Sequence, residues 1–195
     1  MYADVQTLIK THDGVIRTSE AMKAGISRTT LSTLARNGQI ERVARGQYIL
    51  PNEFPDELYI WQQRMNRLIY SHETALFLHD MAERTPLMLS ATLPSTTKLS
   101  ATFPEQLKIY YVKSELHEMG TTILPSKFGH DVCAYDIERT ICDIVRSRSR
   151  IDDQSLIAAL KNYAARPDKN LQKLGEYANI FRITNILRSY LEILL

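Results

Sequence analysis

The segment that most restricts the fold of this chain covers residues 18–50, TSEAMKAGISRTTLSTLARNGQIERVARGQYIL. Its pattern predicts a short helix, a glycine turn, a second helix that ends at Asn37-Gly38, and a two-stranded hairpin with an Arg45-Gly46 tip. Two helices joined by a turn of about three residues and followed by a hairpin form a winged helix-turn-helix. The sequence therefore predicts this fold near its N-terminal end and indicates double-stranded DNA as a partner.

The second helix of this segment has well-marked ends and apolar residues on one side. Ser27 suits the N-cap because its hydroxyl can accept a hydrogen bond from an unpaired amide of the first turn. Gly38 suits the end because glycine adopts a left-handed conformation readily. Leu31 and Leu34 have the spacing of a helix that is buried along one side. The outer face then carries five polar residues, and residues 27–38 contain no acid.

These five residues are the predicted DNA contacts of the helix, since arginine and hydroxyl side chains hydrogen-bond to phosphates and base edges: Arg28, Thr29, Ser32, Thr33 and Arg36. Arg28 would lie in the first turn, where a cation opposes the helix dipole by roughly 0.3 to 1 kcal/mol. A DNA contact would explain its presence there, and a solvated helix face is the alternative. In the hairpin, Arg42, Arg45 and Gln47 are expected on or near the wing, within reach of the DNA backbone or minor groove.

The flanking residues complete a predicted N-terminal domain of residues 1–52. Thr18 or Ser19 is expected to cap the first helix of the motif, with Glu20 favourably placed near its N-terminus. A helix over residues 2–10 and a short strand at residues 15–16 precede the motif, and two prolines within residues 51–55 mark a boundary. Residues 55–195 are expected to form a mixed α/β C-terminal domain that ends in a helical segment, so the predicted fold class is α+β.

Composition agrees with a folded protein and excludes several classes. The chain has 195 residues, 44% of them hydrophobic, and a net charge of +2, with seven Lys and Arg against four Asp and Glu in residues 1–50. Cys133 and Cys142 do not form a CxxC pair, so neither a disulfide framework nor a zinc site is expected, and free thiols fit a reducing cytoplasm. The first residues lack a signal-peptide pattern, and no run approaches the ~18 apolar residues of a membrane span.

The C-terminal part is predicted to contain strands at residues 87–93, 108–112 and 132–135, with helices at 56–68, after Ser71, after Asp136 and from residue 153 onward. On the second strand, Lys108 and Tyr110 share one face, as in proteins that bind unpaired nucleic acid. A half-buried strand is the favoured explanation. His72 and His79 lie two helical turns apart without a third ligand, so no metal or cofactor is expected.

Three carboxylates suggest an enzymatic alternative, a metal-dependent nuclease or a transferase. They are Asp136, Glu138 and Asp143. Their spacing argues against a shared site, because Asp136 suits an N-cap and Asp143 is neither three nor four residues from Glu138. Three arginines between residues 146 and 150 suit the end of the same helix, and phosphate contact is the alternative. We therefore assign no catalytic residue and do not expect an enzyme.

Three segments together resemble the AbiEi family of antitoxins from type IV toxin–antitoxin and abortive-infection systems: GVIRTSEAMKAGISRTTLSTLARNGQIERVARGQYIL, YSHETALFLHDM and AYDIERTICDIVR. The resemblance implies a bacterial phage-defence protein whose winged helix binds inverted repeats upstream of its own operon and represses it. It also implies a C-terminal domain that counteracts a nucleotidyltransferase toxin of the AbiEii type without a stable complex. No family motif identifies antitoxic residues, so none is carried over.

Two other functions stay open from the sequence. One is a winged-helix transcription factor with a ligand-sensing C-terminal domain, which would show operator affinity that varies with a metabolite. The other is the DNA-acting nuclease or transferase, whose activity would depend on Asp136 and Asp143. The sequence does not define the operator or the oligomeric state.

Overall fold

The structure is a computed structural model of the chain, and it describes residues 2–82, 84–99 and 107–194. The chain forms two compact units. The first unit is drawn from residues 1–64 and 127–130, and the second from residues 65–126 and 131–195. No helix among the described residues is long and apolar enough to cross a membrane.

The first unit contains four helices and a small antiparallel sheet. In chain order these elements are α1 (Tyr2–Thr11), β1 (Ile16–Arg17), α2 (Thr18–Lys23), α3 (Arg28–Arg36), β2 (Glu41–Ala44), β3 (Gln47–Ile49) and α4 (Glu57–Arg64). The strand order is β1-β3-β2, with Ile16 opposite Tyr48 and Glu41 opposite Ile49. One apolar cluster joins the three N-terminal helices to this sheet, and its members include Val5, Ile9, Ile16, Ala21, Leu31, Leu34 and Tyr48.

The ends of α3 confirm the sequence prediction. The backbone N–H of Thr30 donates to the Ser27 hydroxyl at 3.0 Å, so Ser27 is the N-cap. At the other end, the N–H of Gln39 donates to the Leu34 carbonyl at 2.9 Å, with Gly38 at a φ of +67° between them. This arrangement satisfies carbonyls that would otherwise lack a donor at the helix end.

The start of α2 corrects a prediction. Arg17, rather than Thr18 or Ser19, occupies the N-cap. The backbone N–H of Arg17 donates to Glu20 Oε2 at 2.8 Å, so the Glu20 carboxylate satisfies the N–H of the N-cap residue itself. Thr18 is the first helical residue, and its hydroxyl donates instead to the Gly46 carbonyl at 3.3 Å.

Two segments beyond residue 52 group with the first unit. One is α4, and the other is the four-residue segment 127–130 between two strands of the second unit. Within that segment, His130 Nδ1 lies 2.7 Å from Asp56 Oδ2 and Nε2 lies 2.7 Å from the Asp13 carbonyl. Its ring stacks on Tyr59 with centroids 4.5 Å apart. The first unit therefore combines two pieces of chain that are far apart in sequence.

The second unit is a five-stranded mixed sheet with helices. Its elements are β4 (Ile69–Tyr70), α5 (His72–Leu78), β5 (Leu89–Pro94), β6 (Leu107–Val112), α6 (Ser114–His117), β7 (Thr121–Pro125), β8 (Asp131–Tyr135), α7 (Ile137–Arg146), a 3-10 turn (Arg148–Arg150), α8 (Asp153–Ala165), α9 (Leu171–Ile180) and α10 (Thr184–Leu194). The strand order is β6-β5-β4-β8-β7, and the pairs β5–β6 and β4–β8 are parallel.

The chain is therefore a mixed α+β protein with a helical C-terminal segment, as predicted. The strands expected at residues 87–93, 108–112 and 132–135 are present as β5, β6 and β8, with small differences in their bounds. The prediction missed β4, β7 and α6. β4 has only two residues, too few for an alternating pattern, and α6 has only four, too few for a helical one.

Helix α7 forms the centre of the second unit. Ile141, Ile144 and Val145 are fully buried and belong to the apolar cluster that contains Leu160 of α8 and Leu174 of α9. The C-terminal helices thus pack against α7 through their apolar sides.

Candidate nucleic-acid interface

The outer face of α3 brings together the five residues predicted from the sequence. Arg28, Thr29, Ser32, Thr33 and Arg36 lie on this side, and both arginines are exposed. On the opposite side of the helix, Leu31 and Leu34 are buried in the core of the first unit. Since residues 27–38 contain no acid, the two arginines give this face an uncompensated positive charge.

The β2–β3 hairpin presents Arg42 and Arg45 at its surface, as predicted. Arg42 Nε donates to the Ala44 carbonyl at 3.3 Å. The turn between the strands contains Gly46 at a φ of +76°, a conformation that favours glycine. A Cβ at this position would lie 3.2 Å from Thr18 Oγ1, so the turn packs closely against the start of α2.

Gln47 does not lie on the hairpin surface, which corrects its expected position. It is 2% exposed, and its Nε2 donates to the Ile60 carbonyl at 3.2 Å. The reason is that β3 is the central strand of its sheet and all three of its residues are buried. Gln47 Oε1 has no hydrogen-bond partner among the described residues.

An open cleft of about 630 Å³ lies in the first unit beside these elements. Ten residues line it, and we call it the arginine cleft: Arg17, Thr18, Ser19, Met22, Arg28, Arg45, Gly46, Gln47, Gln63 and Arg64. Four of them are arginines and none is acidic. Arg28 and Arg45 were predicted as functional residues, whereas Arg17 and Arg64 were missed. The missed residues lie in a short strand and in a helix beyond the recognised motif, so only the folded chain reveals their proximity.

The Lys108–Tyr110 pair of the second unit does not form an open stacking platform. Tyr110 is 2% exposed, and its ring stacks on His72 with centroids 3.4 Å apart. Lys108 Nζ donates to Glu73 Oε1 at 3.0 Å and to the Arg150 carbonyl at 2.9 Å. These interactions confirm the half-buried strand that we favoured from the sequence.

His72 is fully buried between two serine hydroxyls. Its Nδ1 lies 2.9 Å from Ser71 Oγ and its Nε2 lies 3.0 Å from Ser147 Oγ. Burial, together with the positive charges of Arg146 and Lys108, holds the pKa of His72 well below its usual value. Ser71 occupies the predicted N-cap position, but its hydroxyl makes no capping bond. It lies instead beside His72 Nδ1 and accepts a hydrogen bond from the Thr92 hydroxyl at 2.8 Å. Among the described residues, no three His, Cys, Asp or Glu side chains form a group that could hold a metal ion.

The three carboxylates of the enzymatic alternative have separate partners. Asp136 Oδ2 accepts a hydrogen bond from Lys173 Nζ at 2.9 Å. Glu138 Oε1 accepts one at 3.0 Å from the backbone N–H at the N-cap of α9. Asp143 pairs with Arg139, whose Nε donates to Asp143 Oδ2 at 2.9 Å. Asp136 and Glu138 therefore both hold the start of α9, whereas Asp143 holds Arg139.

The Arg139–Asp143 pair is fully enclosed, with side-chain exposures of 0% and 1%. Arg139 Nη1 also donates to the carbonyls of Leu116 and Met119 at 2.9 and 2.8 Å. Its guanidinium carbon lies 4.1 Å from the centre of the Tyr135 ring, which adds a cation–π interaction. Burial raises the pKa of Asp143, and the charge of Arg139 opposes this shift.

Comparisons with known proteins bear on the N-terminal segment and on the fold. Residues 4–51 match a family model described as "Transcriptional regulator, AbiEi antitoxin". A comparison with curated proteins gave no match. Among solved structures, the chain is similar to the crystal structure of the RV2827C protein from Mycobacterium tuberculosis, with a TM-score of 0.65 and 16% identity over 97% of this chain and 77% of that one. That likeness shows a shared fold.

The family match confirms the resemblance to AbiEi antitoxins over residues 4–51. This segment carries every predicted DNA contact and ends before α4.

Proposed function

We propose that the protein is a bifunctional type IV antitoxin. Residues 1–52 form a winged helix-turn-helix that binds inverted-repeat promoter DNA and represses the protein's own operon. Residues 55–195 carry the activity that neutralises a cognate nucleotidyltransferase toxin of the AbiEii type without a stable complex. The family match over residues 4–51 carries the proposal, because this segment contains α2, α3 and the hairpin.

In this proposal α3 is the recognition helix and lies in the major groove. Arg28 and Arg36 are eight residues apart, which corresponds to about 12 Å along a helix at 1.5 Å per residue. The major groove is also about 12 Å wide, so both arginines can reach base edges or flanking phosphates from one docked position. Thr29, Ser32 and Thr33 supply shorter hydrogen-bonding groups between them.

The hairpin serves as the wing of the motif. Arg42 and Arg45 lie at its surface and carry charge towards the DNA backbone. The backbone N–H of Thr18 donates to the Gly46 carbonyl at 2.8 Å, which ties the hairpin turn to α2. This bond supports a fixed position of the wing relative to the two helices.

Operator binding tests the first part of the proposal. Arg28→Ala and Arg36→Ala are each expected to lose ~1 to 3 kcal/mol of operator affinity where the arginine contacts a base in bidentate fashion. Fluorescence anisotropy with a promoter fragment and a scrambled fragment measures the loss. Lys10→Ala is a control, since it removes an exposed cation that belongs to a different helix, α1, and does not line the arginine cleft. Unchanged operator affinity in the double variant Arg28→Ala/Arg36→Ala would show that α3 is not the recognition helix.

Toxin neutralisation tests the second part. The product of the gene next to this one is induced in bacteria, and growth is followed with and without the full-length protein. Rescue is expected both for the wild type and for Arg28→Ala/Arg36→Ala, because antitoxicity is assigned to residues 55–195. Absence of rescue by well-expressed full-length protein would leave a DNA-binding regulator and remove the antitoxin role.

The nuclease or transferase alternative loses its support at the three carboxylates. It required Asp136, Glu138 and Asp143 to act together, and each has a separate structural partner. The ligand-sensing alternative has no specific observation in its favour, and operator affinity measured with and without cell metabolites distinguishes it.

A further inference from the structure

The arginine cleft collects positive charge from three different elements. Arg28 belongs to the first turn of α3, Arg45 to the β2–β3 turn and Arg64 to the last turn of α4. All three side chains reach the solvent-filled opening. Since none of the ten lining residues is acidic, no lining residue neutralises these charges. Like charges held around one opening repel each other, so an anion bound there would be stabilised by all of them.

The fourth arginine of the cleft, Arg17, has a positioning role. Its Nε donates to Glu20 Oε1 at 2.9 Å, so its charge is already paired. Its Nη1 donates to the Gln63 carbonyl at 3.1 Å, which ties the N-cap of α2 to the last turn of α4. Arg17 thus places Arg64 beside the helix-turn-helix elements.

Two more hydrogen bonds hold the walls of the cleft. The Thr18 N–H donates to the Gly46 carbonyl at 2.8 Å, and Gln47 Nε2 donates to the Ile60 carbonyl at 3.2 Å. The first joins α2 to the hairpin turn, and the second joins β3 to α4. The opening is therefore preorganised before any ligand arrives, which lowers the entropy cost of binding.

Arg64 is itself restrained by an aromatic ring. Its guanidinium carbon lies 4.5 Å from the centre of the Trp61 ring, one helical turn earlier on α4. Trp61 is 8% exposed and therefore held by the surrounding chain. Such a cation–π interaction limits the positions of the guanidinium while leaving its N–H groups available.

We propose that the arginine cleft binds a phosphodiester group of the DNA backbone, with Arg28, Arg45 and Arg64 as its cationic ligands. The inference rests on the proposed function. Arg28 belongs both to the outer face of α3 and to the cleft, so a group bound in the cleft lies next to the start of the recognition helix. When α3 is docked in the major groove, the DNA backbone that borders the groove passes the start of this helix. Helix α4, which follows the family-matched segment, then belongs to the DNA interface.

The salt dependence of DNA binding by the full-length protein tests this inference. Each phosphate that the protein no longer neutralises lowers the slope of log K against log[salt] by about 0.9, which corresponds to an affinity loss on the order of eightfold at ~0.1 M salt. Arg64→Ala and Arg45→Ala are each expected to show this change on operator and on scrambled DNA alike. Arg64→Lys keeps the charge and should keep most of the slope. Lys10→Ala is the control and should leave the slope unchanged.

Fluorescence anisotropy from about 50 to about 300 mM KCl gives these slopes. Circular dichroism and thermal melting confirm that each variant is folded. A wild-type slope in folded Arg64→Ala would overturn the inference. If the operator affinity of Arg28→Ala/Arg36→Ala still falls in that case, the proposed function stands without it. A wild type that binds no operator at any salt would refute the proposed function first.

A free anion is the other possible source of the same phosphate chemistry. Thermal melting with and without millimolar inorganic pyrophosphate tests it. If pyrophosphate stabilises the wild type but not Arg64→Ala, while the DNA salt slopes of both are equal, the cleft binds a free anion and the DNA assignment is wrong. Unequal slopes with no pyrophosphate effect support the interaction with the DNA backbone.

Discussion

Replacing Arg139 by methionine would remove the close partner of the buried Asp143 carboxylate and leave it the longer ion pair with Arg146 Nη2, at 3.8 Å. Methionine fills much of the same volume but cannot donate to Asp143 Oδ2 or to the carbonyls of Leu116 and Met119. It also lacks the charge that lies over the Tyr135 ring. The substitution thus isolates the electrostatic part of the core of the second unit.

The magnitude follows from these interactions. Breaking a buried ion pair by removing one partner costs about 3 to 5 kcal/mol. Each of the two missing carbonyl hydrogen bonds adds on the order of 1 kcal/mol. The expected loss of about 5 to 7 kcal/mol is comparable with the whole stability of many proteins, about 5 to 15 kcal/mol. Arg139→Met is therefore expected to be folded only marginally.

Urea unfolding followed by circular dichroism measures this loss. The matched control is Arg166→Met, which removes an arginine paired with an exposed carboxylate, Asp168, at 2.8 Å. The control should leave the unfolding midpoint close to the wild type, because exposed pairs contribute little. If Arg139→Met lowers the free energy of unfolding no more than Arg166→Met does, the assigned contribution of the buried ion pair is wrong.

The same variant has a distinctive pH dependence. Burial already raises the pKa of Asp143, and loss of the Arg139 charge should raise it further. A carboxyl whose pKa is higher in the folded state binds protons preferentially there, so its folded state gains stability as pH falls through that pKa. The stability gap between wild type and variant should consequently narrow from about pH 7.5 towards about pH 5. A gap that widens on acidification would contradict this account.

Three further predictions concern single positions of the second unit. Because the pKa of His72 is depressed in the folded state, only the unfolded state takes up a proton on this ring below about pH 6.5. As pH falls from about 7.5 to about 5.5, the free energy of unfolding of the wild type should therefore decrease by about 1.4 kcal/mol more than that of His72→Asn. Urea titrations measure both, and an equal pH dependence in the two proteins would contradict this. Gly120→Ala should lower the free energy of unfolding by about 2 kcal/mol or more in the same assay, because φ is +77° and the new Cβ would lie 2.9 Å from Arg139 Cβ. The control is Gly175→Ala within a helix, which should be neutral or stabilising. Equal effects of the two substitutions would refute the steric argument. Burial raises the pKa of Cys142 to about 12, so alkylation of this thiol should be at least ~100-fold slower in folded protein than in urea. Mass spectrometry measures the two rates, and similar rates would show that the thiol is accessible in the folded protein.

Local signals predicted the elements whose ends depend on their own residues. Ser27 and Gly38 set the ends of α3 through bonds within the helix or to the adjoining turn, so the sequence alone located them. Helix α8, Asp153–Ala165, likewise begins at the residue that the sequence predicted. By contrast, β4 exists because Tyr70 pairs with Ala134 on β8, an interaction between residues distant in sequence. A two-residue strand of this kind has no signal of its own.

The same distinction explains what was missed at the candidate interface. Helical spacing was enough to place the polar face of α3. It was not enough for Gln47, which is buried because β3 is covered on both faces. Nor was it enough for Arg64, whose place in the cleft depends on the hydrogen bond from Arg17 to the Gln63 carbonyl. Residues that act across elements become visible only when the packing is known.

The segment between β7 and β8 has a practical consequence for dissecting the protein. Residues 127–130 group with the first unit, and His130 is joined there to Asp13 and Asp56. A fragment cut after residue 52 would also remove the carbonyl acceptors of Gln47 and Arg17 on α4. A continuous N-terminal piece that ends before residue 130 therefore exposes donors and acceptors that the whole chain satisfies, and its loss of function would not show which contact was needed. Genetic separation of repression from toxin neutralisation is better achieved by point substitutions in the intact chain than by truncation.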